Sequence, residues 1–120
     1  MSHKPLIGIT MGDPSGIGPE ITVKALHHTS VYEKCHPVII GNTDILNRAL
    51  HICGLAQSLK LHPIESPEKA SCQYGIIDVI PIQTEALLEI PPGTLSKYCG
   101  EASFQYVKTA ISLALQQKLD

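Results

Sequence analysis

A chain of 120 residues, 43% of them apolar and with a mean hydropathy of +0.10, has the length of one domain and enough apolar side chain to build a core. Nine basic residues against eleven acidic ones give a net charge of −2 with no basic stripe, which excludes nucleic acid or an anionic membrane surface as the main partner. No apolar stretch approaches the roughly 20 residues that span a bilayer, and the first apolar run is too short for a secretory leader and is broken by Gly12 and Pro14.

The first element is "PLIGIT" at 5–10, an apolar, partly β-branched run that reads as a short buried strand ended by Met11-Gly12-Asp13-Pro14. From Pro19 to about His28 the pattern turns helical. Proline suits a first helical position, where its missing N–H has no partner, and Glu20 complements the positive end of the helix dipole. Ile17, Ile21 and Ala25, with Leu26 beside them, are expected to form the buried stripe. "HPVIIGN" at 36–42 reads as a second buried strand. Asn42 or Thr43 then caps a helix, "DILNRALHIC", that turns Ile45, Leu46, Ala49, Leu50 and Cys53 inward and stops at Gly54.

"LKLHPI" at 59–64 predicts a strand of alternating character, and "IIDVIPI" at 76–82 a firmer one, in which Pro81 signals fraying or an edge position. The segment between them is polar and turn-like, and 89–97 is a Pro/Gly-rich connection. The strongest helical period follows: Ala102, Tyr106, Val107, Ala110, Ile111, Ala114 and Leu115 recur at spacings of three and four. Ser96 suits its N-cap, with Gly100 and Glu101 in the early turns. The order strand, helix, strand, helix predicts an α/β fold, three layers with a mostly parallel sheet of at most four strands and three helices, and no internal repeat. Because a strand normally follows such a helix, the ending at Leu119-Asp120 reads as a cut at a helix-to-strand boundary.

Cys35, Cys53, Cys72 and Cys99 lie 18, 19 and 27 positions apart, with no C-x-x-C pair, and read as reduced structural thiols of a cytoplasmic protein. His27 and His28 suit the end of the first helix; His36, His51 and His62 have no partner at metal-site spacing, and His3 lies near the terminus. Asp44, Glu65 and Asp78 read as surface or capping groups. Tyr98, Tyr106 and Phe104 read as packing residues, Tyr98 in a loop.

One stretch asks for more than packing. "GITMGDPSGIGPEI" at 8–21 places four glycines and two prolines at a strand-to-helix junction. Neither the dinucleotide fingerprint G-x-G-x-x-G nor the phosphate loop G-x-x-x-x-G-K-[ST] fits its spacing. Asp13 and Glu20 would repel a phosphate seated directly on the turn unless a cation intervenes. Two readings remain open on the residues alone: a tight turn whose glycines serve only the backbone, or close approach of a neutral cofactor edge such as a nicotinamide ribose.

That stretch resembles the amino-terminal signature of the 4-hydroxythreonine-4-phosphate dehydrogenase family, enzymes of pyridoxal 5′-phosphate synthesis, and more distantly the "GDGIGPE" turn of the isocitrate and isopropylmalate dehydrogenases. The likeness continues in "VIIGNTDIL" at 38–46 and "PPGTLSKYCGEASFQYVKTAISLAL" at 91–115. The resemblance implies an isocitrate/isopropylmalate dehydrogenase-like sheet and an enzyme that oxidises, with decarboxylation, the secondary alcohol of 4-phosphooxy-threonine to 3-amino-2-oxopropyl phosphate. It implies NAD or NADP as cofactor, a phosphorylated small-molecule substrate, and a homodimer.

It also implies a divalent metal (zinc, magnesium or cobalt) held by residues beyond this span, so no catalytic or metal-binding residue is carried onto residues 1–120. What carries over is the turn, with Gly12, Asp13, Gly16, Ile17 and Gly18 as cofactor-binding positions and Ile17 as the best single contact. Residues 1–120 are then the amino-terminal part of the first α/β domain of a two-domain dehydrogenase, inert by themselves, with the second domain absent. Two alternatives stand beside this: a paralogous dehydrogenase of a four-carbon sugar-acid 4-phosphate such as threonate or erythronate, and a non-catalytic module that associates through exposed sheet edges.

Overall fold

A computed structural model of the chain describes residues 4–82 and 87–120. In chain order the elements are β1 (Leu6–Thr10), α1 (Gly18–Ala25), α2 (Thr29–Lys34), β2 (His36–Gly41), α3 (Thr43–Ile52), β3 (Lys60–Pro63), β4 (Ile76–Pro81) and α4 (Lys97–Leu115), with 3-10 turns at Pro67–Lys69 and Leu87–Glu89. The strands form one sheet in the order β1-β2-β4-β3, and every neighbouring pair is parallel. Continuous apolar runs make this possible, since a parallel sheet is covered on both faces. Val38, Ile39 and Ile40 of β2 and Ile77 and Val79 of β4 are all buried. Truncating any one large side chain of this core costs about 2–5 kcal/mol by analogy with other cores. The expected α/β architecture is therefore present, with the carboxyl ends of all four strands at one edge.

Several local readings hold to the residue. Asn42 Oδ1 accepts the Ile45 N–H at 3.0 Å and caps α3, Gly54 takes φ +69° just past its end, and Ser96 Oγ accepts the Tyr98 N–H at 3.2 Å and caps α4. Tyr98 therefore sits in the first turn of α4, not in a loop. Of the expected inward residues of α3, four are buried and Cys53 is half-buried.

Other readings are corrected. The first helix is not continuous to His28: α1 ends at Ala25, the backbone is extended at His28, and a six-residue helix follows, giving four α-helices among the described residues. A helix of one and a half turns leaves no apolar period for a sequence reading to find. The α1 stripe is also rotated. Ile17, Ile21 and Ala25 are exposed, and Pro19, Thr22, Val23 and Leu26 are buried. Both sets have helical spacing, so periodicity alone could not choose between them.

The same ambiguity recurs in α4, where Cys99, Ala102 and Tyr106 are buried while Val107, Ile111, Ala114 and Leu115 are exposed. Pro81 does not mark an edge either. It closes β4, an interior strand, at a last position that needs no further ladder donor, and Ile82 N–H continues the pairing to the Gly41 carbonyl at 2.8 Å. At the true edge, Leu6 of β1 exchanges bonds with Asp120, each 2.8 Å long.

Asp78, expected to be a surface or capping group, is 1% exposed. Its carboxylate accepts from His62 Nδ1 at 2.8 Å, from the Ser71 N–H at 3.0 Å, from Ser71 Oγ at 3.3 Å and from the Cys72 N–H at 3.2 Å. A buried charge survives only with such partners, and these hold Cys72 in the left-handed region at φ +58°. Burial first, and Asp78 second, raise the pKa of the Cys72 thiol. All four cysteines carry free thiols, and among the described residues no helix is long and apolar enough to cross a membrane.

Tyr32 of α2 packs edge-on against Tyr74, with ring centroids 5.7 Å apart. Burial, then the nearby Asp78, push its phenol from 10.0 up to about 12. The unfolded chain releases that proton first, so the contribution is intact below pH 10 and is lost as pH rises through 12. We expect an alkaline loss of stability from this group as pH rises from 10 to 12. Urea denaturation between pH 10 and 12 should show a flatter decline for Tyr32→Phe than for the parent; equal slopes contradict the assignment.

Candidate functional site

The glycine-rich turn leaves β1 at the carboxyl edge of the sheet, where open parallel sheets commonly receive ligands. Met11, 1% exposed, anchors its start by donating its N–H to the Ile40 carbonyl at 3.0 Å. Its side chain lies over Gly41, where a Cβ would stand 2.8 Å from Met11 Cβ. Gly12 takes φ +81°, which favours glycine. Residues 13–16 close a β-turn, with Gly16 N–H donating to the Asp13 carbonyl at 2.9 Å and Asp13 Oδ1 accepting the Ser15 N–H at 2.9 Å. Gly18 then opens α1 directly over β1's exit, where a Cβ would collide with the Met11 carbonyl oxygen.

The five predicted positions thus lie together and fall into two groups. Gly12 and Gly18 are fixed by backbone geometry, and Asp13 spends its carboxylate inside the turn. Gly16 has no positive φ, and a Cβ there would meet Asp13 atoms only at 3.4 Å or beyond, an ordinary contact. Ile17 is 72% exposed. The fold therefore requires a glycine at two of these positions; Gly16, half-buried, closes the turn through its N–H without needing to be glycine, and the Ile17 side chain is left exposed.

Residues that sequence reasoning missed complete the surroundings. Arg48 of α3 donates from Nη2 to the Pro14 carbonyl at 3.4 Å, which sets a cation beside the turn that carries Asp13. Nothing in the spacing of residues 14 and 48 signals this. Ser15, 4% exposed, accepts the Gly93 N–H on its carbonyl at 2.6 Å. Its hydroxyl shares its proton between the Thr94 carbonyl at 2.6 Å and Asp13 Oδ1 at 3.0 Å. Glu20 Oε2 is buried without a hydrogen-bond partner among the described residues. Among those residues no group of three or more His, Cys, Asp or Glu side chains is placed to hold a metal ion.

Proteins of known structure share this fold. The family described as "Pyridoxal phosphate biosynthetic protein PdxA" matches residues 33–120. A protein of Halalkalibacterium halodurans provisionally named D-threonate 4-phosphate dehydrogenase is 41% identical over 120 residues, all of this chain and 35% of that protein. The crystal structure of a 4-hydroxythreonine-4-phosphate dehydrogenase from Burkholderia phymatum superposes with a TM-score of 0.93 at 41% identity, over 99% of this chain and 35% of that one. A terephthalate 1,2-cis-dihydrodiol dehydrogenase from Burkholderia xenovorans LB400 superposes at 0.72 with 25% identity, over 98% of this chain and 32% of that one. The chain spans about a third of the length of these relatives.

The division of the glycines is testable on the folded chain alone. Gly18→Ala is expected to destabilise by about 2 kcal/mol or more, the cost of forcing a steric clash into a packed site. Gly16→Ala should stay within about 1 kcal/mol of the parent. Thermal or urea melts of both variants check this, and equal losses contradict it.

Proposed function

Since the chain belongs to the pyridoxal phosphate biosynthetic protein PdxA family, we propose that it forms the cofactor-facing amino-terminal part of an NAD-dependent dehydrogenase acting on a phosphorylated four-carbon hydroxy acid. The observation that carries the proposal is the exposed Ile17 side chain next to Gly16, a glycine the backbone does not require, on a turn whose Gly12 and Gly18 it does require. A residue without a side chain lets a flat ligand lie on the main chain, and the exposed isoleucine supplies an apolar surface for a ring.

In this reading Gly12 and Gly18 shape the turn, Asp13 stiffens it, and Gly16 and Ile17 touch the dinucleotide. Arg48 offsets the Asp13 carboxylate so that the pyrophosphate is tolerated nearby. When bound, the dinucleotide supplies the hydride acceptor for a secondary alcohol. Among the described residues no three His, Cys, Asp or Glu side chains gather to hold a metal ion by themselves, and in this reading a divalent cation takes its ligands from other parts of the polypeptide. Pairing of two subunits belongs to the same proposal.

Our leading substrate is 4-phosphooxy-threonine, oxidised in pyridoxal 5′-phosphate biosynthesis; the superposed Burkholderia phymatum enzyme is named for that compound. D-threonate 4-phosphate is a second reading, favoured by the name of the Halalkalibacterium halodurans relative at the same 41% identity. The shared turn serves either, because both substrates present a secondary alcohol to the same acceptor.

The test is turnover by the full-length gene product carrying residues 1–120, followed by absorbance of the reduced nicotinamide with each substrate and a divalent metal. We expect reduction with 4-phosphooxy-threonine and none by the 120-residue chain alone. Faster turnover of D-threonate 4-phosphate selects the second reading, and no reduction of NAD or NADP with either substrate overturns the proposal.

A further inference from the structure

The segment Pro91–Leu95 is tied to the glycine-rich turn and to little else. Thr94 N–H donates to the Pro91 carbonyl at 3.2 Å, with Pro92 and Gly93 (φ +83°) at the central positions, the residue pattern of a type II turn. Pro91, Pro92, Gly93, Thr94 and Leu95 are all exposed, and a Cβ at Gly93 would meet open space. What fixes this turn is Ser15: its carbonyl takes the Gly93 N–H and its hydroxyl reaches the Thr94 carbonyl, both at 2.6 Å. Two stretches 79 residues apart are thereby clasped at the sheet's carboxyl edge.

Leu95, next after the clasp, is 98% exposed. Its backbone is placed by its neighbour Thr94. Its Cα lies about 3.8 Å along the chain from that of Thr94, and that of Ile17 lies at most about 7.6 Å from that of Ser15. Two exposed aliphatic residues thus lie one and two positions along the chain from the two residues joined by the Ser15 hydroxyl bond.

We infer that the Pro91–Leu95 turn is a second wall of the dinucleotide site, in which Leu95 contacts the ligand's apolar ring surface opposite Ile17 and Ser15 is a positioning residue that holds the two walls in register. This rests on the function proposed above and adds a binding residue and a positioning residue to it. The two carboxylates of the first wall leave it ill-suited to grip a dinucleotide by charge. An apolar second wall supplies surface that a planar ring can bury without placing phosphate on the turn.

The experiment is equilibrium binding of NAD, followed by calorimetry, to the full-length gene product and to Ile17→Ala, Leu95→Ala, Ser15→Ala and Ser15→Thr, each with a melting curve. Leu95 packs against nothing among the described residues, so Leu95→Ala should leave the melting temperature at that of the parent while its Kd rises about tenfold. Ser15→Ala should also raise Kd, and Ser15→Thr, which keeps the hydroxyl, should restore it. If Ile17→Ala weakens binding but Leu95→Ala does not, the second wall is overturned and the site reading stands. If Ser15→Ala leaves Kd unchanged, or Ser15→Thr fails to restore it at an unchanged melting temperature, the positioning role is overturned. No NAD binding by the parent overturns the site reading and this inference with it.

Discussion

The candidate site depends on one close approach of backbone to backbone. Where β1 ends, the Met11 carbonyl lies so near the start of α1 that only a residue without Cβ fits at position 18. That crossing fixes the rotation of α1. It turns Pro19, Thr22, Val23 and Leu26 into the core and leaves Ile17 and Ile21 outside. Met11 is pinned in turn by the Ile40 carbonyl and by its fit over Gly41. A ladder bond at an interior strand is thus transmitted through two glycines to the orientation of an exposed isoleucine.

Steric exclusion and hydrogen bonding divide the work around this crossing. The glycines decide what is possible, and the polar groups of Asp13, Ser15 and Arg48 choose one conformation among the possible ones. Each such bond contributes only about 0.5–1.5 kcal/mol net. Their effect here is positional, since they bring together segments that the sequence keeps far apart. The Asp78 nest does the same at β4, where one buried carboxylate gathers His62, Ser71 and Cys72.

What was legible in the sequence follows from the range of the interactions involved. Strands with uninterrupted apolar runs, the Asn42 and Ser96 caps and the Gly54 stop are local, and a few adjacent residues specify them. The rotation of α1 and the buried face of α4 were not legible, because each helix carries two apolar rows at helical spacing and only tertiary contacts select one. Asp78 looked like a surface or capping group because its partners lie 6 to 16 positions away. For the site, the glycine-rich turn stood out at once through its composition. Arg48 and the bonds that tie Ser15 to Gly93 and Thr94 did not, since their partners lie 34 to 79 positions apart; the Pro91–Leu95 stretch was visible as a Pro/Gly-rich connection, but not its contact with the turn. The family likeness located the turn, and the backbone geometry then separated its structural glycines from the one left over.

Substrate choice stands apart from these features. Relatives named for different compounds share this fold over nearly the whole chain at identities from 25% to 41%, which is expected if the turn addresses a common cofactor and other segments address the substrate. The most direct measurement of the central claim is a crystal structure of the full-length gene product soaked with NAD. The account predicts the nicotinamide ribose within about 4 Å of the Gly16 backbone and the Ile17 side chain. A dinucleotide bound elsewhere, with residues 12–18 facing away from it, would contradict the account.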